Sequence, residues 1–353
     1  MPPSIRFWLA TLAALASSAP ARAQLDRMGT PRYNEAIIQH LLDSVGFCEL
    51  PPGEHPIRRP IRMGPNQRLT GAGPASKLIY SGAGDFALLF GDKDTPNYAC
   101  YLDNVMFVGG GVKCERFAQH CAIEKTWIQK APAEGLLVEG IGDKMIFRDV
   151  VCYGNKGAGI AVRSFVTNNG LTFDHCNSQA NGGYGIALET TSWPGRLHAA
   201  VLRDCTSQGN CAAGHADAEV LVRGWIQSLR IESLWVENGR QVVGLRTERT
   251  NVVEPASGKP KWRLPNITIA GNTLISQLER AVELVDCIEC QIDQLELRPA
   301  TARVYWRCGK DGGDVTGSTR PGGLMRRLDA TRLMAAPTLG GARDASETPR
   351  DPP

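Results

Sequence analysis

The sequence lacks a strong charge of either sign. Its 353 residues include 39 Lys and Arg against 36 Asp and Glu, which gives a formal net charge of +3. No run rich in lysine or arginine occurs in the body of the chain. Because a nucleic-acid partner requires a concentrated basic surface, the sequence predicts no nucleic-acid binding. The apolar fraction of 42% and the charged fraction of 21% are ordinary for a soluble globular protein.

Long apolar runs are also absent, except at the start. Arg6 precedes an apolar run from Phe7 to Ala16, and "APARAQ" offers an Ala-x-Ala cleavage site that ends at Ala23. This run is too short to cross a bilayer comfortably. Residues 1–23 are therefore predicted to be a signal peptide, with an uncleaved anchor as the alternative. We predict a secreted or periplasmic protein with no membrane span, in a compartment where disulfides can form.

The last part of the chain lacks any sustained hydrophobic period. Residues 317–353 are rich in Pro, Gly, Arg, Asp and Ala. Such a composition buries too little apolar surface to offset the entropy of the chain. We predict a disordered tail there, and the remaining residues, 24–316, are predicted to form one domain.

A helical period is missing from most of this domain. Short segments alternate apolar and polar side chains instead, and "GNKGAGIAVRS" at 154–164 is followed 26 residues later by "ANGGYGIALET". The same turn carries an Asn at four positions: Asn155, Asn181, Asn210 and Asn238. An upstream strand repeats its central apolar residue at eight positions: Leu102, Ile123, Phe147, Phe173, Leu202, Ile231, Ile269 and Ile292.

Coils of roughly 21 to 29 residues with short strands and tight turns are typical of a solenoid. If the coils stack about 4.8 Å apart, apolar residues at matching positions form internal columns, and each Asn can bond to its copy in the next coil. We therefore predict an all-β solenoid, a single-stranded parallel β-helix. An amphipathic helix from about Arg32 to Val45 is predicted to cover its N-terminal end. A β-sandwich is the alternative.

The segment after this helix is "FCELPPGEHPIRRPIRMGPNQRLTGAG", from Phe47 to Gly73. A helix, then "LPPGEH", a short strand and "RLTGAG" resembles the N-terminal cap of the pectate-lyase-like superfamily of right-handed β-helices. The resemblance covers roughly Tyr33 to Cys308 and implies a right-handed parallel β-helix with an N-terminal capping helix. That superfamily includes lyases, glycosidases, epimerases, phage tail spikes and non-catalytic surface proteins.

One internal segment also resembles a motif of pectate lyases. "LTFDHCNSQANGGYG" is similar to their "WIDHCS" segment, which would place Asp174, His175 and Cys176 on that motif. The aspartate cluster that binds calcium in those lyases is absent. So are the paired-Asp and Gly-His-Gly motifs of polygalacturonases and the aspartate–proline–histidine motif of alginate epimerases. No metal site is predicted, and calcium stays open as an alternative cofactor.

Cysteine is abundant, with 11 residues, and the repeat suggests pairs. Cys100 and Cys121 each lie two residues before their apolar column residue, while Cys287 and Cys308 end the aligned segments "VELVDC" and "VYWRC". Neighbouring coils would bring each pair about 5 Å apart, inside the Cα range of a disulfide. Disulfides are predicted for both pairs, with stacked core thiols as the alternative.

The downstream strand of the repeat carries charges on its outward face, in the order Glu139, Arg163, Glu189, Arg223 and Arg246. Glu139 and Glu189 are two coils apart, about 9 to 10 Å, which suits the wide carboxylate separation of inverting glycosidases. Arginines could instead neutralise a uronate and stabilise an enolate while a base removes the neighbouring proton. We predict that Glu139, Arg163, Glu189 and Arg223 are catalytic. A structural ladder of ion pairs is the alternative.

The loops that follow this strand carry aromatic and basic side chains. Trp193, Arg196, His198 and Trp225 lie there, and a tryptophan ring beside an arginine suits a sugar and its anionic groups. These four residues and Arg246 are predicted to bind substrate.

The function predicted from these observations is a secreted enzyme, a lyase or a hydrolase, that acts on a uronate-containing polysaccharide along the charged face. The alternative is a non-catalytic glycan-binding or surface structural protein, which the missing catalytic motifs favour. The oligomeric state stays open.

Overall fold

The computed structural model describes residues 33–307 except 92–96, 116–119, 141–142, 166, 191, 193, 239–241, 254–259, 264, 279, 286–289 and 299–302, together with 315–321, 326–327 and 334–335. Over these residues the chain winds into a right-handed parallel β-helix, as the sequence predicts. The predicted signal peptide, 1–23, lies outside the described residues, as does most of the predicted tail, 317–353. Among the described residues, no helix is long and apolar enough to cross a membrane.

One α-helix, α1, spans Glu35–Val45 and precedes the first coil. The Asn34 side chain caps its start by accepting from the backbone N–H of Ile37 at 3.0 Å. Gly46 ends it in the left-handed conformation, with φ at 75°, and its N–H donates to the carbonyl of Leu42. A short, well-capped helix therefore stands where the sequence predicts one.

Helix α1 packs its apolar side on the core of the solenoid. It buries Ile38 and Leu42, whereas Ile37 and Val45 are exposed. The Gln39 side chain donates to the Arg62 carbonyl at 3.0 Å and accepts from the Arg62 N–H at 2.9 Å. Because Arg62 lies in the edge strand of a sheet, this pairing satisfies backbone groups that an open edge would leave exposed.

The strands are short, and parallel pairing joins nearly all of them. In chain order they are β1 Phe47–Glu49, β2 Gly53–Ile57, β3 Ile61–Met63, β4 Arg68–Tyr80, β5 Phe86–Phe90, β6 Tyr101–Val108, β7 Gly111–Cys114, β8 Ala122–Glu124, β9 Trp127–Gln129, β10 Leu136–Glu139, β11 Ile146–Arg148, β12 Val151–Tyr153, β13 Ile160–Ser164, β14 Thr167–Asn169, β15 Thr172–Asp174, β16 Asn177–Gln179, β17 Ile186–Thr190, β18 Arg196–His198, β19 Val201–Arg203, β20 Thr206–Gln208, β21 Ala218–Arg223, β22 Ile226–Gln227, β23 Leu229–Glu232, β24 Trp235–Glu237, β25 Val243–Glu248, β26 Thr250–Val253, β27 Pro260–Arg263, β28 Ile267–Ala270, β29 Thr273–Ser276, β30 Arg280–Val285, β31 Cys290–Arg298, β32 Arg303–Arg307, β33 Val315–Pro321, β34 Arg326–Arg327 and β35 Met334–Ala335.

A coil has up to four sides, which are named here after the coil that holds β11 to β14. Side a is β11 and the strands stacked on it, side b is β12 with its stack, side c is β13 with its stack, and side d is β14 with β18 and β22. Sides a and b belong to a 19-stranded sheet, side c to an 11-stranded sheet and side d to a 3-stranded sheet. Two hairpins, β26–β27 and β33–β34, pair antiparallel.

Single residues in the left-handed conformation make the bends between sides. They are Lys144, Gly170, Ala199 and Ser228 between sides d and a, Lys125, Asp149, His175, Asp204 and Ser233 between a and b, and Lys130, Gly154, Ala180 and Gly209 between b and c. Most are not glycine, so the stacked coils hold a conformation that such residues seldom adopt alone. The next residue after a bend points into the core, as Leu171, Cys176 and Asn181 do.

The predicted apolar column is confirmed on side a. Its members are fully buried and stack in register: Leu102, Ile123, Phe147, Phe173, Leu202, Ile231, Ile269 and Ile292. The rings of Phe147 and Phe173 lie parallel, with centroids 4.6 Å apart. The interior is therefore one continuous core that runs the length of the solenoid.

An asparagine ladder occupies the bend between sides b and c. The backbone N–H and the side-chain amide of Asn155 both donate to Oδ1 of Asn181 at 2.9 Å, and Asn181 donates likewise to Asn210 at 3.0 and 2.8 Å. Glycine precedes side c at Gly159 and Gly185 because the ladder fills the space inside. A Cβ at Gly185 would lie 2.5 Å from the Asn210 amide nitrogen.

The ladder ends at Asn210, and Asn238 is not its fourth member. Glu219 takes the glycine position of the next coil, and its fully buried carboxylate accepts from the Asn210 N–H at 2.8 Å. It also accepts from the Asn210 amide, the Asn238 amide and the Ser207 hydroxyl, each at 2.6 Å. The strand register aligns Asn238 with Gly209, one residue before the ladder position.

The nine described cysteines are buried, and none of them is joined to another in a disulfide. Cys100 and Cys121 lie in neighbouring coils, as predicted, but the structure does not contain the predicted disulfide between them. Their thiols instead donate to backbone carbonyls, at 2.9 and 3.6 Å. Contact with the Cys121 thiol and burial raise the pKa of Cys100 well above its ordinary value. The predicted pair of Cys287 and Cys308 lies outside the described residues.

Candidate functional site

The four side chains predicted to be catalytic lie in one outward column of side c. Glu139, Arg163, Glu189 and Arg223 occupy β10, β13, β17 and β21 and are direct neighbours in register. They alternate along each strand with fully buried residues that face the core. The stacking of the ladder is as predicted, and the catalytic role of its members stays a prediction.

Arg246 does not belong to this column, which corrects the predicted ladder. The register of β21 and β25 aligns Arg223 with Glu248 and places Arg246 beside Leu221, two residues earlier. The alternation of apolar and polar residues misleads here because Thr247 is buried and faces inward, whereas Leu221 is buried although it faces outward. The side-c ladder therefore reads Glu139, Arg163, Glu189, Arg223, Glu248.

Glu189 lies between two arginines. Its Oε1 is 2.9 Å from a guanidinium nitrogen of Arg223, and its Oε2 is 3.9 Å from Nε of Arg163. Arg163 also pairs with Glu134. The Glu189 side chain is 11% exposed, while those of Arg163 and Arg223 are 37% and 34% exposed. The carboxylate is thus sheltered, and part of each guanidinium faces solvent.

The network continues towards the C-terminal coils. Nε of Arg223 donates to Glu248 at 2.8 Å. Arg246 lies 3.7 Å from Glu248 and donates to Glu283 at 2.9 Å. Asp217 and Arg280 pair with Arg246 and Glu283, respectively. Arg246 is thus a member of the charged face of side c, through a neighbouring column.

Glu139 belongs to a separate group of charges. Nζ of Lys113 lies 2.8 Å from Glu139 and 3.0 Å from Glu115. Burial lowers the pKa of Lys113, but the hydrogen bonds with the two carboxylates outweigh it and raise the pKa above its ordinary value. Glu139 and Glu189 are therefore held by different partners, although two coils bring them about 10 Å apart.

A small apolar cluster lies on the same face. Leu137, Ala158 and Ala161 are buried, and the rings of Phe86 and Tyr184 pack against them. Burial raises the pKa of Tyr184. The positive charge of Arg223 opposes this increase, and nearby carboxylates, including that of Glu189, add to it. At neutral pH the phenol therefore keeps its proton and is a hydrogen-bond donor beside the ladder, not a base.

The predicted substrate-binding residues lie where side c passes into side d. The guanidinium of Arg196 lies 5.7 Å from the ring centre of Trp225, a cation–π contact. His198 is exposed on β18, in register with Asn169 and Gln227. The structure therefore brings Arg196 and Trp225 together, whereas Trp193 lies outside the described residues.

Side a carries a second ladder of charges, which the sequence analysis missed. Its outward column consists of Asp103, Glu124, Arg148, Asp174, Arg203 and Glu232. Arg148 lies 3.3 Å from both Glu124 and Asp174, and Arg203 donates to Glu232 at 2.9 Å. Ion pairs are thus a general way in which this solenoid fills an outward column.

The segment that resembles the pectate-lyase motif contributes Asp174 to this column, between Arg148 and Arg203. Asp174 faces outward, His175 forms the bend between sides a and b, and Cys176 points into the core. Among the described residues, one group has the geometry to hold a metal ion: Asp174, His175 and Asp204. Arg148 already contacts Asp174 at 3.3 Å, and its positive charge opposes a cation there.

Several members of the side-c network were not predicted, namely Lys113, Glu134, Tyr184, Glu248 and Glu283. Glu134 and Tyr184 lie in the turn before the strand, and the other three depend on the exact register between coils. The alternation of apolar and polar residues predicts which side chains face outward only if every inward-facing residue is apolar.

Comparison with known proteins supports the fold. No protein-family model matches the sequence, and no curated protein matches it. Among solved structures, ORF18 of Geobacillus virus E2 matches with a TM-score of 0.51 and 13% identity over 80% of this chain and 57% of that one. The A-module of mannuronan C-5 epimerase AlgE4 from Azotobacter vinelandii matches with a TM-score of 0.52 and 14% identity, over 85% of this chain and 94% of that one.

A third match is tailspike protein 2 of the Escherichia coli O157:H7 bacteriophage CAB120, with a TM-score of 0.58 and 12% identity over 84% of this chain and 44% of that one. The chain thus spans little more than half of the first virus protein and less than half of the tailspike. At these identities the likeness concerns the fold, a right-handed parallel β-helix.

Proposed function

We propose that the protein acts on an acidic, uronate-containing polysaccharide that binds along the charged face of side c. The observation that carries this proposal is the position of Glu189, sheltered between the partly exposed guanidinium groups of Arg163 and Arg223. A sheltered carboxylate can transfer a proton, and fixed cations beside it can stabilise charge that develops on the substrate.

For a lyase, the chemistry assigns a role to each of these groups. Glu189 takes the proton from C5, next to the uronate carboxyl group, and Arg163 and Arg223 stabilise the enolate that forms. The C4–O bond then breaks as the C4=C5 double bond forms, and the leaving oxygen takes a proton from water. For a hydrolase, Glu189 and Glu139 would share the roles of acid and base, and their separation of about 10 Å leaves room for a water molecule. Trp225 and Arg196 would position the next sugar.

A turnover screen tests the proposal. The full chain is incubated with pectate, alginate, glycosaminoglycans and neutral glycans, with and without calcium. New reducing ends and the ultraviolet absorbance of unsaturated uronate are both recorded. Both signals together identify a lyase, and reducing ends alone identify a hydrolase. Silence in both across the panel rejects an enzyme of either kind for these substrates.

The variant Glu189→Gln tests the residue. Loss of a positioned acid or base should lower kcat by about 10²- to 10⁴-fold while substrate binding is retained. Glu124→Gln is the matched control, because Glu124 is also a ladder carboxylate paired with an arginine, but on side a. Equal activity of the two variants would remove Glu189 from the mechanism.

A second candidate function is non-catalytic binding of an acidic glycan. It is favoured by the charge balance of the face, since Arg163, Arg223 and Arg246 each already contact at least two carboxylates. This function would give binding that added salt weakens, and no turnover.

A further inference from the structure

The outward surface of side b differs from its neighbours in chemistry. It consists of two columns, Met106, Trp127, Val151, Asn177, Thr206 and Trp235 in the first and Val108, Gln129, Tyr153, Gln179 and Gln208 in the second. These eleven residues are called the side-b face below. All of them are at least partly exposed.

The side-b face carries no charged side chain, although every one of its residues is described. The faces on both sides of it, side a and side c, carry ladders of arginines and carboxylates in the same coils. Charges adjoin the side-b face at its bends, as at Lys125 and Asp204. Its columns also run into charged residues at both ends, since Lys77 is in register with Met106 and Glu237 with Gln208. A soluble protein normally places mixed charges on an exposed sheet, so an uncharged face of this length suggests a ligand.

Aromatic rings and amide groups share this face. Tyr153 and Trp235 are 43% and 47% exposed, and Trp127 is partly exposed in the coil before Tyr153. Between the rings, the amide of Gln179 donates to Gln208 at 3.3 Å, which makes an amide ladder along the axis. Trp127 and Trp235 are four coils apart, about 19 Å.

We propose that the side-b face is a binding surface for an uncharged polysaccharide that lies along the axis of the solenoid. Aromatic rings stack on the apolar faces of pyranose rings, and glutamine amides both donate to and accept from hydroxyl groups. The absence of charged side chains suits a neutral polysaccharide. Such a ligand would form no ion pairs with charged side chains, and its binding would require those side chains to lose their hydration. The amide-rich centre is less suited to a second copy of the protein, because interfaces between copies have apolar cores.

Affinity electrophoresis of the full chain tests this proposal. Native gels contain hydroxyethyl cellulose, galactomannan or dextran, with alginate as the charged comparison. The protein should be retarded by at least one neutral polymer, and added salt should leave this retardation unchanged because no ion pairs with the ligand. Trp235→Ala and Tyr153→Ala should each raise the dissociation constant about 10-fold, the usual effect of one lost aromatic contact.

Tyr101→Ala is the matched control, because Tyr101 is a tyrosine of similar exposure, 40%, on side a. It should bind like the original protein. Gln179→Glu, which puts a charge between Tyr153 and Gln208 in the second column, should abolish binding, and thermal unfolding of the variant checks that the fold is kept. The proposal is wrong if none of the neutral polymers retards the protein, or if Trp235→Ala and Tyr101→Ala behave alike.

Sedimentation gives a further arm of the test. If the protein is an oligomer that Trp235→Ala dissociates, the side-b face is a contact between copies and the proposal fails. The side-c proposal is independent of this result, since it depends on Glu189 and on an acidic substrate.

Discussion

At the scale of single residues, Glu219 is the most unusual side chain of the solenoid. It is fully buried, and three side chains and the backbone N–H of Asn210 hold its carboxylate through four hydrogen bonds. A charge inside a protein is tolerated only when it is fully hydrogen-bonded. Gly185, at the equivalent position one coil earlier, has no room for a side chain because the asparagine ladder fills the space. At Glu219 the carboxylate occupies that space and takes the place of the next asparagine in the ladder.

Replacing Glu219 by glutamine should therefore destabilise the fold. One acceptor oxygen becomes an NH₂ group that faces donors, so at least one buried group loses its partner, at a cost of about 3 kcal/mol. Denaturant unfolding of Glu219→Gln measures this. Glu54→Gln, at an exposed ion pair with Lys77, is the control and should change the free energy of unfolding by less than about 0.5 kcal/mol. Equal stability of both variants would contradict the role given to Glu219.

At the scale of elements, the strands of side a are linked by a ladder whose stability depends on pH. The hydrogen bond from Arg203, helped by Arg230, lowers the pKa of Glu232. A lowered pKa in the folded state means that the ion pair stabilises the fold above the unfolded value, near 4.3. This contribution is lost as the pH falls through the folded value.

Glu232→Gln should therefore be less stable than the original protein at pH 6, by up to about 1 kcal/mol because the pair is near the surface. The difference should shrink as the pH falls through the lowered pKa of Glu232 and vanish once that carboxylate is protonated. Thermal unfolding over this pH range measures it. Arg203→Gln should show the same loss, since it removes the partner. A difference that stays constant with pH would contradict the assignment.

The same elements show how far the sequence alone could predict the structure. The side-a column was predicted in full because each of its residues is apolar and, with the exception of Ile269, is followed by a charged residue. The prediction was wrong at Arg246 because Thr247, a polar residue, faces the core. It was wrong at Asn238 because spacing alone does not reveal that Glu219 displaces the ladder. Contacts between columns, such as Arg163 with Glu134, depend on rotamers that no sequence pattern specifies.

At the scale of the whole molecule, buried thiols are distributed along the solenoid from Cys48 to Cys290. Burial raises the pKa of Cys48 to about 12. At pH 8 very little of this thiol is therefore ionised, and the side chain is also shielded from solvent. The nine described cysteines are all buried, so they should react only slowly with a thiol reagent in the native protein.

Solenoid coils contact only their neighbours, so unfolding should begin at an end. In mild denaturant, Cys48 or Cys290 should become labelled before Cys152 and Cys176, as peptide mapping would report. Simultaneous labelling of all of them would mean that the solenoid opens as one unit. The count in full denaturant without reductant also tests the predicted disulfide between Cys287 and Cys308: 11 reactive thiols mean that it did not form, and 9 mean that it did, since one disulfide occupies two cysteines.

The bends of the coil have a consequence for how such a protein can change its size. The bends between sides d and a, a and b, and b and c each contain a single left-handed residue within one coil, and Lys, Asp, His, Ala and Ser all occur there. Insertion or removal of a whole coil therefore leaves the outline of the others intact. The length of every outer face is then set by the number of coils, and duplication of a coil extends it by about 4.8 Å. Evolution can therefore match the length of a binding surface to the length of its ligand while the fold stays the same.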